Sequence, residues 1–135
     1  MNPRIKDKLR EIERYLAELS EIVPRSIEEY LEIKTKAACE RYFEVIVEAV
    51  IDIAFLIIKD RHLKIPEDDK QAFDILASEK IISAELSQKL KEAKGMRNLI
   101  AHEYGKIDDE LVFESITQEL ERDSRQFVQA IKKLK

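Results

Sequence analysis

The stretch GMRNLIAHEYG, residues 95–105, concentrates polar side chains that could do chemistry in a chain otherwise rich in Lys, Glu and aliphatic residues. A histidine titrates near neutral pH and can move protons, and a guanidinium offers a planar fork for phosphate oxygens. Arg97 and His102 are therefore suited to metal-independent RNA cleavage, in which the ribose 2′-hydroxyl attacks the adjacent phosphate. The four side chains of interest are Arg97, Asn98, His102 and Tyr104.

The spacing within this stretch bears on how the groups would meet. Arg97 and His102 are five residues apart, which turns their side chains about 140° from each other on a regular helix. Asn98 and His102, four apart, share a face. The groups would converge better if a second copy of the helix contributed, so the spacing favours a dimer with a composite cleft. The alternative is a purely structural helix end, with Arg97 and His102 complementing the helix dipole.

Composition predicts an all-α protein, because the 135 residues include only 2 Gly and 3 Pro and 39% of them are charged. Apolar steps of three and four residues, together with capping residues, predict a single-domain antiparallel bundle, residues 1–135, of about five helices. Gly95 is expected to kink or interrupt the fourth helix, and Gly105 is expected to end it. The expected helices are residues 3–22, about 26–59 behind the cap Ser26, about 69–77 behind Asp68 or Asp69, about 83–104 behind Ser83, and 109–133 behind Asp108.

The second helix is apolar nearly all round over residues 45–58. Such a helix must be covered on most sides, and a subunit interface is the expected cover. Glu44, Glu48 and Asp52 recur every four residues and form one narrow polar stripe along it. Two interpretations stay open: the stripe faces water, or it lines a functional cleft.

The net charge of −4 argues against a generic polyanion binder, so any nucleic-acid site must be a local patch. The lysine run of Lys89, Lys91 and Lys94 beside Arg97 is the expected RNA-binding patch. Cys39 is expected to be a buried structural thiol, and His62 to lie solvated in a loop. The sequence shows neither a signal-peptide pattern nor an apolar run long enough to span a membrane, which predicts a cytoplasmic protein. No metal or cofactor is expected.

The octapeptide RNLIAHEY resembles the R-x(4)-H-x-Y signature of the HepT-like toxins in the HEPN family. The resemblance extends to ERYFEVIVEAVIDIAFLI, which is similar to the family's long second helix. It also includes IPEDDKQAFDILASEKIISAELSQKLKEAKGMRNLIAHEYGKID, which follows the family's order of a Pro, a short helix with a Phe, an I-I-S turn and the motif. It covers roughly residues 5–130.

This resemblance implies a dimerising helical bundle that acts as a ribonuclease toxin on mRNA or tRNA, with Arg97 and His102 as its catalytic residues. It implies that a minimal nucleotidyltransferase antitoxin neutralises the toxin by transferring AMP to Tyr104. Asn98 fits the polar position after the arginine. Glu48 and Asp52 fall on the helix that packs beside the motif, where a supporting role is expected.

Two other functions are compatible with the same residues. A non-catalytic helical subunit of a two-subunit nucleotidyltransferase would use them to hold nucleotide or substrate without cutting. A purely structural dimerising bundle would use them for neither purpose.

Overall fold

The computed structural model describes residues 1–102 and 107–134, and the regular elements in these ranges are all helical. This confirms the expected all-α class. The last three elements follow one another without a break and form one C-terminal rod. The elements are α1 (Pro3–Ile22), α2 (Ile27–Tyr30), α3 (Ile33–Asp60), α4 (Asp69–Ser78), α5 (Ala84–His102), α6 (Asp109–Glu114), a π-helical segment (Ser115–Leu120) and α7 (Glu121–Lys132).

Side-chain caps begin the helices where the sequence predicts them. In each case an oxygen of the cap accepts a hydrogen bond from a backbone N–H in the first helical turn, which satisfies a donor that the helix itself cannot pair. The capped N–H groups belong to Glu29 (3.2 Å from Ser26), Gln71 (2.8 Å from Asp68), Leu86 (3.0 Å from Ser83) and Glu110 (3.0 Å from Asp108).

The predicted second helix is not continuous, and this expectation was wrong. It ends after one turn at Tyr30 and restarts at Ile33, with Glu32 in an extended conformation between them. Tyr30 is fully buried, with its ring 5.3 Å from that of Phe113 on α6. Packing of this aromatic pair turns the chain at a point where local propensity would have let a single helix run on.

Helix α3 forms the centre of the bundle, with α1, α4, α5 and the C-terminal rod packed around it. Ile46, Ile53 and Ala54 on it are fully buried within the single chain. The apolar character of residues 45–58 is therefore largely explained by neighbours in the same chain. These neighbours cover much of the helix, but Val45, Phe55 and Leu56 stay partly exposed, so cover by a second subunit stays a prediction.

Helix α5 runs through Gly95 without a break, so an interruption there was wrong as an expectation. A glycine costs about 1 kcal/mol relative to alanine inside a helix but does not by itself bend one. The expected helix end at Gly105 and the target tyrosine Tyr104 lie outside the described residues. Among the helices of residues 1–102 and 107–134, none is long and apolar enough to cross a membrane.

Candidate active site

The central feature of the candidate site is an ion pair between Arg97 on α5 and Glu48 on α3. Nη2 of Arg97 donates to Oε1 of Glu48, across 49 residues of sequence. The Arg97 side chain is only 20% exposed and that of Glu48 is 42% exposed. Packing of α5 against α3 thus holds the guanidinium at the surface of the bundle, with its charge balanced by one carboxylate.

The remaining nitrogens of Arg97 are loosely engaged. Nη1 lies 3.4 Å from Oδ1 of Asn98, a long hydrogen bond. Nε is buried and has no hydrogen-bond partner among the described residues. An unpaired buried donor is costly, and the weakly bonded Nη1 leaves the guanidinium with a group that can donate to an anionic ligand.

His102 is the last described residue of α5 and its side chain is exposed. Because α5 is continuous from Arg97 onward, the angle of about 140° between the two side chains applies to the folded chain. Asn98 lies on the His102 face, partly buried. Within one chain, the arginine is aimed at α3 while the histidine is presented to solvent.

The three acids of the polar stripe on α3 pair with different residues. Glu48 joins the motif, whereas Asp52, one turn later, pairs with Lys8 on α1 at 3.4 Å. Glu44, one turn earlier, lies 3.9 Å from Arg41 on the same helix. Of the two α3 residues expected to support the motif together with Asn98, the structure brings Glu48 to Arg97, and Asp52 faces α1.

The lysine run expected to bind RNA is largely occupied. Nζ of Lys91 lies 2.8 Å from Asp74, and Nζ of Lys94, only 14% exposed, lies 2.9 Å from Asp69. Both acids belong to α4, and the sequence alone could not predict that they pair with these lysines. The role of this run in RNA binding stays a prediction, but two of its three positive charges are already paired.

A cavity of about 180 Å³, not expected from the sequence, lies between α3, α4, α5 and the C-terminal rod. Lys89 lines it, with the rings of Phe43 and Phe73 and the buried polar residues Asp123 and Ser124. A signal for it exists in the sequence. Residues 123 and 124 occupy positions of the apolar stripe of the last helix, and polar residues there interrupt the core pattern.

Cys39 and His62 lie where the sequence predicts them. Cys39 is fully buried and free, and burial raises the pKa of its thiol, which makes it a poor nucleophile at neutral pH. His62 is exposed in the loop after α3. Within residues 1–102 and 107–134, no group of three or more His, Cys, Asp or Glu side chains is arranged to hold a metal ion.

Comparison with known proteins shows similar sequences among nucleases. The chain is 36% identical over 85 residues to the "mRNA nuclease HepT" of Shewanella oneidensis, and this alignment spans 63% of either protein. It is 30% identical over 119 residues to the "tRNA nuclease HepT" of Aphanizomenon flos-aquae, covering 87% of this chain and 81% of that one.

Solved structures show the same fold at full length. The tri-AMPylated Shewanella oneidensis HEPN toxin, in complex with an MNT antitoxin, superimposes with a TM-score of 0.91 at 28% identity, covering 98% of each chain. A toxin–antitoxin structure with AMP-PNP gives a TM-score of 0.90 at 27% identity, covering 97% of this chain and 98% of that one. The family described as "Ribonuclease HepT-like" matches residues 12–131. This match confirms the resemblance first seen in RNLIAHEY and extends it over almost the whole chain. The chain therefore belongs to the family of HepT-like ribonucleases.

Proposed function

We propose that this chain is the toxin of a toxin–antitoxin pair, a metal-independent endoribonuclease that its antitoxin silences by transferring AMP to Tyr104. The observation that carries the proposal is the Arg97–Glu48 pair, which fixes a guanidinium on the helix that presents the exposed His102. The names of the relatives, an mRNA nuclease and a tRNA nuclease, support RNA as the substrate and leave either kind open. Its RNA substrate places its action in the cytoplasm.

An arginine and a histidine are the side-chain types that RNA cleavage by internal transfer requires. The 2′-oxygen bonds to the adjacent phosphorus, and the bond from phosphorus to the 5′-oxygen of the next nucleotide breaks. His102 takes the proton of the attacking hydroxyl, and an imidazolium supplies a proton to the leaving oxygen. Arg97 stabilises the charge that develops on the phosphorane oxygens. The products carry a cyclic phosphate and a free 5′-hydroxyl.

A homodimer completes this site. The divergence of Arg97 and His102 by about 140° means that one motif alone presents its two groups in different directions. Two motifs facing each other across a cleft would supply two arginines and two histidines to one phosphate. One histidine could then act as base while the other acts as acid.

The nucleotidyltransferase antitoxin is the second partner. The solved complex of a tri-AMPylated toxin with an MNT antitoxin supports both the partner and the modification. Tyr104 is two residues from His102 in the sequence. An adenylyl group on it would add bulk and negative charge beside the histidine, and both repel RNA.

Cleavage of RNA in EDTA tests the ribonuclease. We expect wild type to produce cyclic phosphate ends, and His102→Ala and Arg97→Ala to lose activity by at least about 10²-fold. His102→Gln, which keeps hydrogen bonding but transfers no proton, should be equally inactive. Arg10→Ala, at an exposed position of α1, is the matched control and should remain active. Circular dichroism must show that each variant is folded.

Inactivity of unmodified wild type, verified by intact mass, would contradict the nuclease and favour a non-catalytic nucleotide-binding subunit. The modification is tested separately by incubating toxin with antitoxin and ATP. Tyr104→Phe should gain less AMP and remain toxic, whereas Tyr15→Phe should be modified and silenced as wild type is. Continued silencing of Tyr104→Phe by AMP transfer would show that another residue is the target.

A further inference from the structure

A groove of about 850 Å³ lies one helical turn beyond the Arg97–Glu48 pair, between α1, the C-terminal half of α3 and the loop that follows it. Among the described residues that line it, three are basic (Arg4 and Lys8 from α1 and Lys59 from α3) and one, Asp52, is acidic. We call it the α1–α3 groove. Its local charge is therefore positive, in a chain whose net charge is −4.

The basic side chains of this groove are available to a ligand. Arg4 and Lys59 are exposed and have no ion-pair partner among the described residues. Lys8 is shared between Asp52 and Glu11, at 3.4 and 3.7 Å. In this respect the groove differs from the lysine run on α5, where two of three side chains are paired with α4.

The groove lies on the same face of α3 as Glu48 of the candidate active site. Glu48, Asp52 and Lys59 lie within about 40° of one another around the helix, because steps of four and eleven residues nearly complete whole turns. The rise from Glu48 to Lys59 is about 16 Å. That length corresponds to about five stacked nucleotides of a single strand.

Apolar side chains are interleaved with the basic ones. Ile65 is 84% exposed at the groove, and Phe55 and Leu56 are half-buried in its wall. Single-stranded nucleic acid is bound by this combination, in which cations follow the phosphates and apolar or aromatic faces carry the bases. RNA, as a polyanion, complements the positive charge of the groove better than a second copy of this chain, whose net charge is only −4.

We propose that the α1–α3 groove binds the RNA strand next to the scissile phosphate, with Arg4 and Lys59 contacting its phosphates. The inference rests on the proposed ribonuclease function and deepens it, since it assigns the substrate's path along α3. It also predicts that affinity for RNA depends on this groove more than on the lysine run of α5.

The test measures RNA binding apart from cleavage. In the full chain carrying His102→Ala, Arg4→Gln and Lys59→Gln are combined, and the anisotropy of a labelled single-stranded RNA of about 12 nucleotides is followed at several salt concentrations. The matched control combines Lys6→Gln with Arg25→Gln, again one lysine and one arginine. Both control residues are exposed and unpaired among the described residues, and Lys6 lies about 200° around α1 from Arg4.

We expect the groove variant to bind roughly tenfold more weakly at about 0.15 M salt, with the slope of log K against log salt reduced by about 1.4, or two phosphate contacts. The control should change affinity by less than about twofold. The same two double substitutions are then made in the chain with His102 restored, and RNA cleavage is measured. Only the groove variant should show a raised KM, with its kcat retained.

Equal RNA binding by the two variants, or no binding by the parent, would overturn the groove assignment. If RNA binding is equal but the groove variant alone changes its mass by light scattering, the groove is an interface between copies instead. Cleavage by wild type with equal binding would leave the ribonuclease standing and remove only the groove. If the groove variant loses RNA binding but wild type cleaves no RNA, the groove stands as an RNA-binding surface and the ribonuclease proposal falls.

Discussion

Replacement of Glu48 by glutamine tests whether α3 positions the catalytic arginine. Glutamine keeps the size and a hydrogen-bond acceptor but removes the charge that orients Nη2 of Arg97. Because the Glu48 side chain is 42% exposed, solvent screens the pair, and its loss should destabilise the fold by about 1 kcal/mol or less. The structure should therefore survive the change, and any loss of activity would reflect the position of Arg97.

The expected catalytic effect is larger than the effect on stability. A guanidinium free to move by about 1 Å can lose on the order of 10²-fold in rate, because its hydrogen bonds must meet the phosphorane oxygens in the transition state. Steady-state cleavage in EDTA should show this loss mainly in kcat, with KM little changed. Glu48→Asp, which keeps the charge on a shorter side chain, should recover part of the rate.

Glu44→Gln is the matched control, one turn earlier on α3, where the acid pairs with Arg41. We expect its kcat to stay within about twofold of wild type, since screened surface pairs contribute little. Full activity of Glu48→Gln would refute the positioning role. A higher rate would show that Glu48 restrains Arg97, and unfolding at room temperature would show that the pair is structural.

Two further changes test the fold around the site. Gly95→Ala should raise the free energy of unfolding, measured in urea, by roughly 0.5–1 kcal/mol. The reason is that Gly95 lies within a continuous helix, where among the described residues an added Cβ would meet only Nζ of Lys70, at 3.8 Å. A decrease would show that the site needs the glycine. Burial, opposed by Lys36 and reinforced by Asp109, raises the pKa of Glu40 above 4.5. The folded chain then holds a proton on Glu40 that the unfolded chain releases, so the contribution of this group to stability falls as pH rises above 4.5. Glu40→Gln should remove this contribution to the pH dependence and be more stable than wild type near neutral pH. Urea midpoints at about pH 4 and pH 7 check this, and identical pH dependence of both proteins would contradict it.

Much of the secondary structure follows from local sequence. Caps such as Ser26 and Asp108 act on N–H groups two or three residues away, so their effect is readable without any tertiary contact. The break at Glu32 was not readable, because it depends on burial of Tyr30 against Phe113, 83 residues later. The π-helical segment Ser115–Leu120 was missed too, and its Thr117 hydroxyl donates to the carbonyl of Phe113 at 2.9 Å.

The motif itself was found from the residues, since an arginine and a histidine at this spacing are visible as letters. Their partners were not, because the partner of a surface charge depends on how packed helices are rotated about their axes. Glu48 and Asp52 look equivalent on the stripe of α3, yet one meets Arg97 and the other Lys8.

The sequence by itself determined the helical class, the caps and the motif, because these depend on composition and on contacts within a few residues. The tertiary structure decided which acid holds Arg97, and it paired Lys91 and Lys94 with α4. It also covered much of the apolar α3 within a single chain. Each of these depends on side chains that meet from distant segments, and the rotation and spacing of packed helices follow from the fit of the whole core.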